Sequence, residues 1–328
     1  MFIYIKYLFI YIIIHFISIF LSKKYGLVDE PNRRKIHNKK IPCSSGIALY
    51  IVLLIISFDL NINIQKIIFY SSISLFVGLV DDIFAFKPEL KIFFISLPIL
   101  LLIDQGYYLT NIGQYEYFGV INLGKYSFIF TFLCVNLLMN AFNYNDGVDG
   151  LGLSQFIIPL IYFTFLINEN LEIKIFFNVI NTCLILALIF NITNNENYKS
   201  FLGNSGSLLI GFILSFLIIY LHTIENIHPA YLIWSVSYIV YEFLAITIIR
   251  LIKKKKIFQP SKEHFHHFIF YNFKKSHIYT TFLISFISIT FITFGYLVTN
   301  IFGFIYSLLL FVLIFFIYLS ARLFFYTK

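Results

Sequence analysis

Long apolar stretches, broken at short intervals by compact polar clusters, run the whole length of this chain. Runs near the length needed to cross a bilayer, about 17 to 25 residues, lie at 1–21, 42–58, 64–80, 90–104, 125–143, 151–167, 172–192, 203–221, 231–251, 278–298 and 300–323. The pattern predicts an all-α, polytopic membrane protein of about eleven transmembrane helices, a single integral-membrane domain over 1–328. The first run has no basic start beyond Lys6 and no small-residue cleavage site, and Ser22-Lys23-Lys24 follow at once, so it reads as a retained helix.

Composition strengthens this reading. The 328 residues are 59% hydrophobic and only 12% charged, and their mean hydropathy is +0.85, more apolar surface than a soluble core of this size buries. Charge then sets orientation. With the N-terminus outside and the C-terminus inside, only Lys6, Lys66, Lys125 and Lys174 of the 24 Lys and Arg residues lie near the outer face. The net charge of +8 borders membrane spans and so reads as a topology signal and an attraction for anionic lipid or ligand; no nucleic-acid partner is expected. Cys43, Cys134 and Cys183 have no paired metal or redox spacing and read as packing residues.

The polar clusters all fall on the predicted inner face. The densest is Asn140-Ala-Phe-Asn-Tyr-Asn-Asp-Gly-Val-Asp-Gly-Leu151, which puts two carboxylates and several amides at the end of an apolar run. Asp146 and Asp149 are three apart, the spacing of one helical face, and Gly147 and Gly150 let the backbone approach a ligand. An ordinary Asn/Asp/Gly turn capping a helix stays open from this stretch alone. Gly78-Leu-Val-Asp81-Asp82 ends another run; adjacent carboxylates at a membrane boundary favour a cation, a proton or a basic partner, and Lys91 opens the next run as a point charge for phosphate. Ser200-Phe201-Leu-Gly-Asn204-Ser-Gly-Ser207 offers glycines and hydroxyls at a helix start, where free backbone amides suit phosphate oxygens, although the same residues make an ordinary N-cap. His264-Phe-His266-His267 lacks a complete metal shell and reads as a contact for phosphate or sugar, whereas His15, His222 and His228 read as structural. The first polar loop, Gly26-Leu-Val-Asp-Glu-Pro-Asn-Arg-Arg-Lys-Ile-His37, carries more than a basic stop needs.

In order, spacing and sidedness these motifs together resemble the polyprenyl-phosphate N-acetylhexosamine-1-phosphate transferases, and the likeness covers essentially the whole chain. The resemblance implies attack by a polyprenyl phosphate in the inner (plasma) membrane on the β-phosphorus of a UDP-amino sugar. UMP leaves on the cytoplasmic side, and a surface glycan such as an O-antigen is begun. It implies Asp81 and Asp82 as the catalytic pair and Asn143 and Asn204 as ligands of Mg2+, with Mn2+ as the alternative. It places Lys91, Asp146, Asp149 and Phe201 on the nucleotide and its phosphates, and His264, His266 and His267 on the sugar and phosphate side. A homodimer is left open. The chain departs from the family pattern at Asn204, where Asp is usual, and at Ser261-Lys262, where Asp-Arg is usual. A muramoyl-pentapeptide transferase is the enzymatic alternative, and a non-catalytic relative or a transporter on the same scaffold is the other. Transport predicts polar groups near the middle of spans, and here they crowd one face.

Overall fold

In the computed structural model, residues 2–31, 39–167, 169–256, 263–273 and 275–326 are described. His37 and Ser261-Lys262 lie outside the described residues. Each apolar run is helical. The elements in chain order are α1 (Phe2–Tyr25), a two-residue ladder of β1 (Val28–Asp29) and β2 (Ile41–Pro42), α2 (Ser45–Ser57), α3 (Ile62–Phe84) and α4 (Pro88–Asp104). An antiparallel hairpin of β3 (Asn111–Tyr115) and β4 (Gly119–Asn122) follows, then α5 (Ser127–Asn145), α6 (Leu151–Leu166), α7 (Leu171–Ile192) and α8 (Gly203–Thr223). The chain closes with α9 (Pro229–Ser235), α10 (Ser237–Ile252), α11 (Phe265–Asn272), α12 (His277–Phe302) and α13 (Phe304–Tyr326).

Among the described residues, seven helices are long and apolar enough to cross a membrane, or eight if the bent pair α9–α10 is one span. The other expected spans are the shorter helices α2, α4 and α6; at 1.5 Å per residue, the 13 residues of α2 cover only about 20 Å. The run at 231–251 breaks at Val236 with a bend of 69°. At the break Ser235 Oγ donates to the Leu232 carbonyl and Ser237 Oγ to that of Trp234, so serine hydroxyls bond the last carbonyls of α9. The expected loop after α10 also contains a helix, α11, which apolar run length alone did not reveal.

The bundle is built around α8. Its span is 83% buried, against 6% for α13, which packs by one half-buried face and exposes the other. Small residues let α8 come that close to its neighbours. A Cβ on Gly78 of α3 would stand 2.3 Å from the Ser205 Cα, and one on Gly46 of α2 would stand 2.5 Å from the Gly206 Cα. The start of α8 is thereby pressed against the end of α3 and the start of α2, which carries Asp81, Asp82 and the first polar loop to the same place. Replacing Gly78 by Ala is expected to force these backbones apart at a cost of about 1–3 kcal/mol. A thermal midpoint in detergent below that of the native chain checks this; an unchanged midpoint would show that the contact is not tight.

Candidate active site

At the end of α5 the chain does not continue as a helix. Asp146 is the C-cap, Gly147 N donates to the Asn145 carbonyl, and Gly150, at φ +81°, starts α6. Asp146 and Asp149 therefore lie in a turn and not on one helical face as their spacing predicts, and the turn reading is the correct one for the backbone. Both carboxylates nonetheless turn inward. The Gly147 backbone lies so close to His266 that an added Cβ would stand 2.4 Å from Nε2, and Gly150 sits against Ile192 and Leu188.

Lys91, in the first turn of α4, organises one side of the site. Its Nζ donates to Asp81 Oδ2 at 2.7 Å and to Asn143 Oδ1 at 2.7 Å, and the Phe86 amide donates to Asp81 Oδ1. Lys91 and Asp81 are both largely buried, so loss of either partner strands a charge, at a cost of about 3–5 kcal/mol. The Asn143 amide continues the chain of contacts. Its Nδ2 donates to Asn204 Oδ1 at 2.6 Å and to Ser207 Oγ at 2.8 Å. Asp82 is held differently: Oδ1 accepts the Asn204 amide at 2.9 Å and Oδ2 the Ser205 amide at 3.2 Å. The free amides expected to cradle phosphate at the start of α8 are thus taken by Asp82, a carboxylate cap supplied from another helix.

The opposite side is built from loops. Phe201 N donates to the Pro42 carbonyl and Ser45 N to that of Phe201, so the first polar loop and the loop before α8 are one unit. Lys199 Nζ lies 2.5 Å from Asp149 Oδ2 and 5.6 Å from the centre of the Phe201 ring. His277 Nδ1 lies 3.0 Å from Asp149 Oδ1, and Asn191 joins the Gly150 amide to the Ser200 carbonyl. Next to Lys199 opens a cavity of about 240 Å3 lined by Lys39, Lys40, Ile41, Pro42, Asn194 and Glu196. Burial tends to raise the Asp149 carboxyl, but His277 and Lys199 more than offset it and hold it below the usual carboxylate range. Asp146 goes the other way. Burial first, then the charges of Asp149, Asp82 and Asp29, push it up to about 7.

The histidines roof this space. His264 stacks on Tyr144, with ring centres 6.0 Å apart, and on His266 at 5.5 Å; His267 stands 4.3 Å from His266. His266 is 1% exposed and neither ring nitrogen has a hydrogen-bond partner among the described residues. Burial, followed by the charges of His267, His264 and Arg322, holds it well below the ordinary imidazole range, so it is a neutral group. The structure thus brings Asp81, Asp82, Lys91, Asn143, Asp146, Asp149, Phe201, Asn204 and the histidines at 264, 266 and 267 to one end of the bundle. Lys199, His277 and Asn191 were not anticipated: each is a single polar residue at a helix or loop edge, and only the fold shows what it touches. His15, read as structural, stacks on Phe190 and approaches the Tyr198 carbonyl at 3.1 Å, tethering the loop that carries Lys199 and Phe201.

No group of three His, Cys, Asp or Glu side chains among the described residues converges to hold a metal by itself. The amide oxygens of Asn143 and Asn204 are hard donors of the kind a Mg2+-type cation takes, too few to complete its shell alone, and each already accepts a hydrogen bond, from Lys91 Nζ and from Asn143 Nδ2. They fit such a cation in the company of phosphate oxygens.

An all-α polytopic membrane protein with one charge-dense pocket at the end of its bundle is the class these features define. The family description "Glycosyl transferase family 4" matches residues 64–222, a stretch that holds Asp81, Asp82, Lys91, the Asn143–Asp149 turn, Phe201 and Asn204. Over that stretch, just under half of its length, the chain is similar to this family. It is 28% identical over 260 residues to the undecaprenyl-phosphate alpha-N-acetylglucosaminyl 1-phosphate transferase of Escherichia coli K12, covering 76% of this chain and 70% of the relative. The proteins of the same description from Yersinia pestis (28%, covering 77% and 72%) and Pasteurella multocida (29%, covering 75% and 72%) are similar in the same way.

The raised Asp146 carboxyl has a consequence for stability. Because its folded value of about 7 lies above the ordinary value of 3.8, the contribution is complete below the lower value and is lost as pH climbs through the upper one. Asp146→Asn removes the penalty. The thermal midpoint of the native chain is expected to fall between about pH 5 and about pH 8 by more than that of the variant; equal falls would place Asp146 in open solvent.

Proposed function

We propose that the protein transfers an N-acetylhexosamine 1-phosphate, such as GlcNAc 1-phosphate, from a UDP-sugar to a polyprenyl phosphate, releasing UMP. The observation that carries this reading is the boundary at which the Lys91–Asp81 pair stands. Beside it in the chain Ile83, Phe84, Leu90 and Phe93 are 48–72% exposed, an apolar surface suited to a lipid chain. On the far side of Asn143 and Asn204 lie Phe201, Lys199 and the lysine-lined cavity, suited to a uracil and its phosphates. A lipid-borne phosphate and a soluble nucleotide therefore approach from opposite sides and meet between them. The names of the relatives support the same substrates.

In this reading an oxygen of the lipid phosphate attacks the β-phosphorus, and the bond to the bridging oxygen breaks, that oxygen leaving with UMP. A phosphate monoester loses its second proton near pH 6, so positioning matters more than a strong base. Lys91 has three N–H donors, of which Asp81 and Asn143 engage two, and the third can take an oxygen of the acceptor phosphate. Asp81 fixes that ammonium, and Asp82 fixes the start of α8 and with it Asn204. Phe201 stacks on the base, Asp149 and Asp146 accept hydrogen bonds on the nucleotide side, and the neutral His266, beside His264 and His267, meets sugar or phosphate oxygens. Mg2+, or Mn2+ in its place, would be held by Asn143 and Asn204 together with diphosphate oxygens and would offset the charge of the converging phosphates. The pocket faces the cytoplasm of the cell that makes the protein, at its inner membrane, where the basic loops gather.

The test is UMP release from membranes carrying the protein, given polyprenyl phosphate and a panel of UDP-amino sugars across a range of Mg2+ concentrations. Two neutral amide oxygens attract the cation less than an amide and a carboxylate would, so the native chain is expected to need more Mg2+ than Asn204→Asp, with the same sugar preference. Activity in the variant alone, at every Mg2+ concentration, would mark the native chain as non-catalytic.

A further inference from the structure

Glu242 and Arg322 form a buried ion pair that the proposed reaction does not use. Glu242, in α10, is 0% exposed, and Arg322, near the end of α13, is 3% exposed. Arg322 donates from Nε to Glu242 Oε2 at 3.0 Å and from Nη2 to Oε1 at 3.2 Å, and Tyr318 Oη donates to Oε2 at 2.7 Å. Two further contacts run to the histidine segment. The Phe265 amide, the first of α11, donates to Glu242 Oε1 at 2.8 Å, and Arg322 Nη2 also donates to the Glu263 carbonyl at 2.6 Å. His264 Nδ1 stands 3.5 Å from Oε1. The N-cap of α11 makes no side-chain cap of its own, so this helix start is closed by residues of α10 and α13.

A pair buried this completely gives little net stability, because desolvation of the two charges opposes their attraction. Its geometry shows another use. The two side chains grip the segment from Glu263 to Phe265 from both sides, and α11 then lays His266 against Gly147 and His264 against Tyr144, next to Asn143. The last helix has a wide exposed face, but Arg322, close to its end, is enclosed at this point.

We propose that Glu242 and Arg322 are positioning residues: together they fix the start of α11 and so set where the histidines stand over the Asp146–Asp149 turn. The kinetic part of this inference rests on the proposed transferase reading; the structural part does not.

The experiment compares the native chain, the double variant Glu242→Gln/Arg322→Met and the single variant Arg322→Lys, all purified in lipid nanodiscs. Removing both charges together leaves no stranded ion, so the double variant is expected to keep a thermal midpoint near that of the native chain. Its kcat for UMP release should fall roughly 10²-fold, the effect of about an ångström of misplacement, while the KM for the UDP-sugar stays unchanged. Arg322→Lys keeps the charge but cannot fork between Glu242 and the Glu263 carbonyl, and is expected to lose kcat in part with its KM also unchanged. Hydrogen exchange at 265–268 should quicken in the double variant while α12 is unaffected.

Native kcat in a stable double variant would make the pair a mere strut and overturn the inference. If the double variant does not fold, native kcat in Arg322→Lys overturns it. If the native chain itself releases no UMP, the transferase reading fails, and the exchange measurement still decides: unchanged protection at 265–268 would show that the pair does not hold α11.

Discussion

The carboxylate of Asp82 on the first amides of α8 is the contact on which the rest of the site depends. It satisfies two helix-end donors with a charge that the helix dipole favours, a term worth about 0.5–2 kcal/mol in similar caps. Its larger effect is geometric. With Gly78 pressed against Ser205 and Gly46 against Gly206, the end of α3 and the starts of α2 and α8 are locked in one place. Asp81 is then directed to Lys91, and Asn204 to Asn143. Gly203, at φ +71°, makes the sharp entry into α8 with its Cα beside Asp82, where a Cβ would lie 2.8 Å from Oδ2.

From this lock the site divides by solvent. The Lys91 side abuts exposed apolar residues of α3 and α4, and the Lys199 side opens into a cavity lined by polar loop residues. Asp81, Asp82, Asp146 and Asp149 all belong to this part of the molecule, a costly arrangement without positive partners. The molecule answers with Lys91 on Asp81, Lys199 and His277 on Asp149, helix amides on Asp82, and a proton held on Asp146 up to about pH 7. In the proposed reaction a diphosphate would bring its divalent cation here, and that cation would add positive charge beside the carboxylates and phosphates.

Much of this was legible in the sequence because membrane insertion makes hydrophobicity a strong signal. All the apolar runs are helical, and the clusters at Asp81-Asp82, Asn140–Leu151, Phe201–Ser207 and His264–His267 do converge. The misreadings share a cause. Spacing put Asp146 and Asp149 on a helix face, but glycines at 147 and 150 end the helix. Composition made 231–251 one unbroken helix, but it breaks at Val236 with a bend of 69°. Amides at the start of α8 looked free for phosphate, but Asp82, more than a hundred residues away, occupies them. Lys199, Glu242 and Arg322 carry no local signal at all; their partners are set by tertiary packing.

The central claim is that the β-phosphate of the nucleotide sugar passes to a lipid phosphate in the pocket between Lys91 and Phe201. UDP-GlcNAc labelled with 32P at the β-phosphate, supplied to membranes carrying the protein with polyprenyl phosphate and Mg2+, measures this directly. The account predicts that label enters the organic phase as lipid-linked sugar diphosphate in step with unlabelled UMP in the aqueous phase. Label that stays aqueous while UMP is released, or label released as labelled UDP, would contradict it.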